Sequence, residues 1–91
     1  MWYPAFMATV CIVFPETGSR YCGASAGDAL RMLSKAQWDA DSKANIKRAL
    51  AWRYFVTTGG QDLSIHEFMD DDEFINALHD KKFFTVERSS K

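Results

Sequence analysis

The sequence predicts an α+β fold in which a three-stranded antiparallel sheet packs against three to four short helices, in the order β-β-α-α-α-α-β. Three observations predict it. A β-branched and aromatic run at residues 10–14 is followed by turn residues and a second extended run. Apolar residues then recur at helical spacing from residue 26 to residue 80. Residues 83–87 are again aromatic and β-branched, which predicts a strand that completes the sheet.

The N-terminal hairpin has a defined predicted register. Residues 15–18 (PETG) have turn chemistry, and a four-residue loop there pairs Phe14 with Ser19. The same register places Cys11 opposite Cys22. Because disulfides are rare in a reducing cytoplasm, we expect two small apolar thiols rather than a disulfide or a redox pair. The face predicted to join the core carries Val10, Ile12, Phe14 and Tyr21.

Capping residues place the first two helices. Ser25 stands three positions before an acidic residue, which predicts a helix over about 26–36. Asp39 or Asp41 can cap a second helix that ends near Thr57, because two glycines follow it shortly afterwards. Its predicted buried arc contains Ile46, Ala49, Leu50, Trp52, Tyr54 and Val56. Phe55 falls on the opposite, polar arc with Lys47, Arg48 and Ala51.

The last third of the chain predicts two more helices and a strand. Residues 64–67 (SIHE) have the spacing of a capping box, which predicts a short helix. Asp70 or Asp71 can cap a further helix that ends near the pair Lys81 and Lys82. Its predicted buried stripe consists of Phe74, Ile75 and Leu78. At the chain ends, residues 89–91 are expected to fray, and residues 1–6 are either part of the domain or a flexible arm.

Composition and charge limit the classes of function. The 91 residues suffice for one domain, and 47% hydrophobic with 25% charged residues is typical of an ordered globular chain. The net charge is −1, but residues 1–60 carry a net +3 and residues 61–91 a net −4. No apolar run is long enough to span a membrane, and the N-terminal residues lack the basic region of a secretory signal. We therefore expect a cytoplasmic protein that does not enter a membrane.

The residues that usually carry catalysis or bind metals do not form a recognisable motif. Cys11, Cys22, His66 and His79 are spaced unlike the close ligand pairs of zinc sites. No local sequence positions a nucleophile beside a base, and the glycines do not form a phosphate-binding loop. The sequence thus predicts no enzyme, no metal and no cofactor.

Charged and aromatic residues predict instead that the chain binds another macromolecule. Seven carboxylates and no Lys or Arg lie between residues 62 and 80, which predicts an acidic surface that docks on a basic partner, although acidic helix starts explain the same pattern. The predicted partner-binding residues are Glu67, Asp70, Asp71, Asp72 and Glu73, with Phe55 and Trp38 as aromatic anchors. The alternative is nucleic-acid binding by Lys43, Lys47, Arg48 and Arg53, which the neighbouring aspartates and the overall charge disfavour. A structural homodimer formed through an open sheet edge is the third hypothesis.

The chain also resembles the small proteins that tailed phages of actinobacteria encode. The resemblance depends on residues 21–25 (YCGAS), 28–31 (DALR), 72–74 (DEF) and 83–86 (FFTV). It implies an accessory protein that binds a host protein and inhibits or redirects it.

Overall fold

Three strands and three helices make up the part of the chain that the computed structural model describes. These are residues 8–38 and 42–90, and for Ala8, Trp38 and Ser90 only the backbone is described. The α+β class is therefore confirmed, while residues 1–6, the proposed arm, lie outside the described residues. The elements are β1 (Ala8–Phe14), β2 (Ser19–Gly23), α1 (Ala26–Trp38), α2 (Lys43–Thr57), α3 (Asp71–Asp80) and β3 (Thr85–Ser90).

The sheet has the strand order β2-β1-β3, and both pairings are antiparallel. The hairpin register is confirmed, because Phe14 pairs with Ser19 across a four-residue turn. The C-terminal strand starts and ends later than residues 83–87. Its pairing with β1 includes Ser89 and Ser90, whose backbones lie opposite Thr9 and Ala8.

A disulfide joins Cys11 to Cys22, so the expectation of two free thiols was wrong. The two residues are direct cross-strand partners, and their Cα atoms lie 4.1 Å apart. At this separation the hairpin itself brings the two sulfur atoms together.

The helices cover one face of the sheet and enclose the core. Val10 and Ile12 of β1 are buried there with Phe74 and Phe84. The helix α1 lies close to the end of β2 at Gly23, where an added Cβ would lie 2.8 Å from the backbone nitrogen of Ala29. A side chain at the end of β2 would therefore push α1 away from the sheet. The predicted buried stripe of α3 is confirmed for Phe74, Ile75 and Leu78.

The α2 helix begins at Lys43, one residue later than a cap at Asp41 would place its start. Its N-cap is Ser42, whose hydroxyl accepts a hydrogen bond from the Asn45 N–H. The predicted caps Asp39 and Asp41 lie outside the described residues. The predicted C-terminus at Thr57 is confirmed.

The short helix predicted to start at the capping box of residues 64–67 does not form. In a capping box the serine N–H is accepted by the glutamate three residues later. Here the Ser64 N–H donates to the Asp62 carboxylate at 2.8 Å, and Glu67 pairs with Arg48 of α2 instead. The two residues that would close the box are therefore engaged elsewhere.

Candidate functional site

An aromatic groove of about 300 Å³ lies between α2 and residues 58–70, which connect α2 to α3. The rings of Trp52 and Phe55 line it together, with centroids 5.8 Å apart. Arg48 and Trp52 also line a second depression on the outer face of α2. The apolar residues of the groove are Ala51, Trp52, Phe55, Leu63, Ile65 and Phe68.

Exposed large apolar side chains are concentrated at this aromatic groove. Of the five found among the described residues, Trp52, Leu63 and Phe68 line it, and Val56 follows Trp52 by about one helical turn. The fifth, Met32, lies on α1. Leu63 is 77% exposed and Phe68 is 86% exposed. Single exposed apolar residues are ordinary, but contiguous ones mark interaction surfaces.

The connecting segment is held against α2 by three anchoring residues. Asp62 accepts a hydrogen bond from the Tyr54 hydroxyl. Ile65 is buried in the core, and the Glu67 carboxylate lies 3.3 Å from the Arg48 guanidinium. The apolar side chains between and beside these anchors are therefore presented to solvent by a backbone that is already ordered. Such preorganisation lowers the entropic cost of binding.

This arrangement corrects the predicted arcs of α2. Trp52 and Val56 were placed on the buried arc, but they are 62% and 54% exposed. Lys47 was placed on the polar arc, but it is buried. Ile46, Leu50 and Tyr54 are buried as predicted. The buried face of α2 is narrower than the distribution of its apolar residues predicts. Trp52 and Phe55, which this buried face does not include, line the aromatic groove.

Asp62 is the most strongly perturbed acid of the connecting segment. Hydrogen bonds from Ser64 and Tyr54 hold the pKa of Asp62 well below its ordinary value of 3.8. The ammonium of Lys81, 3.5 Å from the carboxylate, acts in the same direction. The bond to Asp62 also raises the pKa of the Tyr54 hydroxyl. The hydrogen bonds from Ser64 and Tyr54 to Asp62, which hold the connecting segment, thus account for the directions of both pKa shifts.

Asp71, one of the predicted partner-binding acids, contacts two lysines of α2. Its carboxylate lies 2.8 Å from the Lys43 ammonium and 3.0 Å from the Lys47 ammonium. Burial alone would raise the pKa of Asp71, but the hydrogen bonds and charges of the two lysines lower it overall. Asp71 therefore connects the start of α3 to α2, and it is poorly placed to bind a partner.

The other predicted acidic residues divide into paired and unpaired side chains. Asp72 pairs with Arg88 of β3 at 3.1 Å, and Glu67 pairs with Arg48. Asp70 is the N-cap of α3, and its carboxylate accepts the Asp72 N–H. Asp70 and Glu73 are exposed and make no ion pair within the described chain. An acidic edge of Asp70 and Glu73 thus follows closely after Phe68 in the chain.

The basic residues of α2 do not form a continuous cationic surface. Lys43 and Lys47 bind Asp71, and Arg48 binds Glu67. Only the fourth, Arg53, makes no ion pair with any described residue, and it lines a different cleft. This arrangement gives the nucleic-acid alternative little support, because phosphate binding needs uncommitted cations.

Of the two predicted aromatic anchors, Phe55 and Trp38, the structure describes the side chain of Phe55. Phe55 lies in the aromatic groove, half-buried, although the sequence placed it on a polar arc. Trp38 is the last residue of α1, and its side chain lies outside the described part of the structure. The sequence analysis did not single out Leu63 and Phe68, which line the aromatic groove and are exposed. The available signal was two large apolar residues in the connection between α2 and α3.

No metal-binding group of three or more His, Cys, Asp or Glu side chains occurs among the described residues. Within the same residues no helix is both long and apolar enough to cross a membrane. The comparisons with known proteins found no matching family model, no matching curated protein and no matching solved structure.

Proposed function

We propose that this chain is a non-enzymatic module that binds another protein through the aromatic groove. The observation that supports this proposal most directly is the cluster of exposed apolar side chains on an anchored backbone. Aromatic side chains in a partly preformed groove are the usual source of affinity at protein interfaces. Trp52 and Phe68 are the residues we expect to contribute most.

The proposed partner segment presents apolar side chains flanked by lysine or arginine. Asp70 and Glu73 form an unpaired acidic edge close in sequence to Phe68. Charges at the rim of an interface mainly accelerate and orient association, whereas buried anchors determine the dissociation rate. The acidic helical surface predicted from the sequence then assists binding, while the groove supplies affinity. Given the resemblance to small phage proteins, the partner we propose is a host protein that this chain inhibits or redirects.

Affinity purification with two matched variants tests the proposal. Trp52→Ser with Phe68→Ser removes the apolar anchors from exposed positions, so the fold should persist. Asp70→Asn with Glu73→Gln removes the acidic edge but leaves the Asp71 ion pairs intact. We expect the first variant to lose the protein captured by the wild type, and the second to bind it with slower association and weaker salt dependence. Equal capture by the wild type and the first variant would contradict the proposal.

A homodimer through a sheet edge is the second proposal. The strands β2 and β3 are the outer strands of the sheet. The Val86 N–H of β3 donates to the Nδ1 atom of His79 at 2.9 Å, which occupies a donor that a second strand would need. The edge we propose for dimerisation is therefore that of β2. Light scattering at micromolar concentration would then give twice the monomer mass of 10.4 kDa.

The cytoplasm is the compartment proposed from the sequence, and the disulfide is the observation that counts against it. Disulfides persist mainly in oxidising compartments. Rapid acid quenching of expressing cells, followed by thiol alkylation, distinguishes a cytoplasmic location from an oxidising compartment. Two alkylated cysteines would support a cytoplasmic protein, whereas none would place the chain in an oxidising compartment.

A further inference from the structure

A separate cleft of about 460 Å³ lies between the hairpin turn and the C-terminal ends of α2 and α3. It differs from the aromatic groove in carrying several cations. Arg53 of α2 and the adjacent Lys81 and Lys82 after α3 line it, and Glu16 on the turn is the one carboxylate of its lining. The aromatic residues of the cleft are Phe14, Tyr54 and Phe83.

Lys82 has a backbone conformation that ordinarily favours glycine. Its φ is 64°, and it is the one non-glycine residue with positive φ in the described part of the chain. It occupies the position after the C-cap of α3, where its N–H donates to the His79 carbonyl and the Phe83 N–H donates to the Leu78 carbonyl. This is the Schellman motif, in which glycine is the usual residue at that position.

A second Schellman motif, among the described residues, has glycine at the corresponding position. At the end of α2, Gly59 has a φ of 70° and donates to the Val56 carbonyl, and Gly60 donates to the Phe55 carbonyl. The two helix ends therefore have the same hydrogen-bond pattern, with glycine in one and lysine in the other. A non-glycine residue in the left-handed backbone conformation lowers the stability of the fold, and backbone strain of this kind is concentrated at functional sites.

The cations of the cleft are largely uncommitted. Neither Arg53 nor Lys82 makes an ion pair among the described residues, and Lys81 lies 3.5 Å from the Asp62 carboxylate. Favourable interaction with the helix dipole explains a lysine near the end of α3. It does not explain the lysine at position 82, because glycine would end the helix with less strain.

We propose that this cleft binds a small molecule that carries a phosphomonoester on a planar ring, of the size of a nucleoside monophosphate. Three cations line the cleft, and two of them, Arg53 and Lys82, are free of ion pairs among the described residues, as a doubly charged phosphate requires. The aromatic residues provide a surface on which a ring can pack. The volume lies within the range of small-molecule sites. This site is independent of the proposed protein-binding groove.

The test is a titration of the labelled protein with AMP, followed by the backbone amide resonances, with adenosine as the uncharged control. We expect AMP to shift the resonances of residues 81–83 saturably and adenosine to leave them unchanged. Absence of a saturable shift, or equal shifts with adenosine, would overturn the proposal.

Substitutions at Lys82 separate binding from stability. Lys82→Gly should raise the melting temperature by about 4 °C, because it relieves the positive φ. The same variant should bind AMP at least about fivefold more weakly because it lacks one phosphate contact, whereas Lys82→Arg should bind like the wild type. Lys35→Gln makes the same change of charge on α1 and should not alter binding. Unchanged affinity in Lys82→Gly, or an equal loss in Lys35→Gln, would overturn the proposal.

Discussion

The ammonium of Lys47 lies 3.0 Å from the carboxylate of Asp71, and the lysine is only 7% exposed. The same ammonium donates to the Met69 carbonyl and lies 5.4 Å from the centre of the Phe74 ring. These contacts place a buried charge of α2 against the first turn of α3. One of the acidic residues at the start of α3, Asp71, is therefore needed for the fold, since a buried ammonium requires an anion beside it.

Removing Asp71 is therefore expected to destabilise the fold. Asp71→Ala leaves the Lys47 charge buried without its anion, and we predict a loss of about 2–3 kcal/mol in the free energy of unfolding. Lys47→Met in the same chain should recover most of this loss, because the remaining side chain is apolar. Urea denaturation measures both effects. Asp72→Ala, which breaks only the exposed pair with Arg88, should cost less than about 1 kcal/mol, and an equally small loss in Asp71→Ala would contradict the assigned role.

Local sequence rules predicted the elements whose partners are close in the chain. The loop length of the hairpin determines its register, so the loop residues alone predicted that Cys11 lies opposite Cys22 on the neighbouring strand. The end of α2 followed from the glycines after it. The short helix predicted to start at residues 64–67 does not form, because Ser64 and Glu67 interact with Asp62 and Arg48 instead of with each other.

The candidate site depended on tertiary packing and was predicted only in part. Phe55 was expected to bind a partner, but Trp52 was assigned to the core. A helical wheel shows which residues share a face, and it does not show how wide a stripe the neighbouring elements cover. The partners of the acidic residues were equally hidden, because Lys43 and Arg88 are distant from them in the sequence.

Reduction of the disulfide is expected to lower stability without changing the fold. The bond joins residues 11 positions apart, and closing a loop of this length is worth about 3 kcal/mol. We predict that the reduced protein unfolds at a lower urea concentration than the oxidised protein, by that amount of free energy. A Cys11→Ala and Cys22→Ala double variant should be insensitive to the reductant. Identical midpoints for the oxidised and reduced wild type would show that the bond contributes nothing.

Stability is expected to fall in acid partly through Asp62. Its pKa is lower in the folded chain than its ordinary value of 3.8, since Ser64 and Tyr54 donate hydrogen bonds to the carboxylate. The resulting stabilisation is complete above the unfolded pKa and is lost as pH falls from about 4 through the lower folded value. Asp62→Asn should show a shallower decline below about pH 4 than the wild type. The control Glu16→Gln, on the exposed turn, should decline like the wild type, and a parallel decline in Asp62→Asn would refute the assignment.

Exchanging glycine and lysine at the C-terminal ends of α2 and α3 should change the stability of the fold in opposite directions. Gly59→Lys introduces a side chain at a φ of 70°, where an added Cβ meets nothing within 4 Å. The cost should therefore come from the backbone alone and amount to about 1 kcal/mol. Lys82→Gly should gain a similar amount, and the double variant should unfold close to the wild type. Thermal unfolding of the three variants measures this, and a gain from Gly59→Lys would be incompatible with it.

Photo-crosslinking from a position beside the aromatic groove tests the proposed function most directly. The photoreactive residue p-benzoylphenylalanine is placed at position 56, beside Trp52 on the exposed side of α2, or at position 17 on the hairpin turn as a control. We predict that position 56 crosslinks to one partner protein, at a segment with apolar and basic side chains, and that position 17 does not. Equal yields from the two positions, or crosslinks from position 56 only to residues 1–7 of the same chain, would contradict a protein-binding groove.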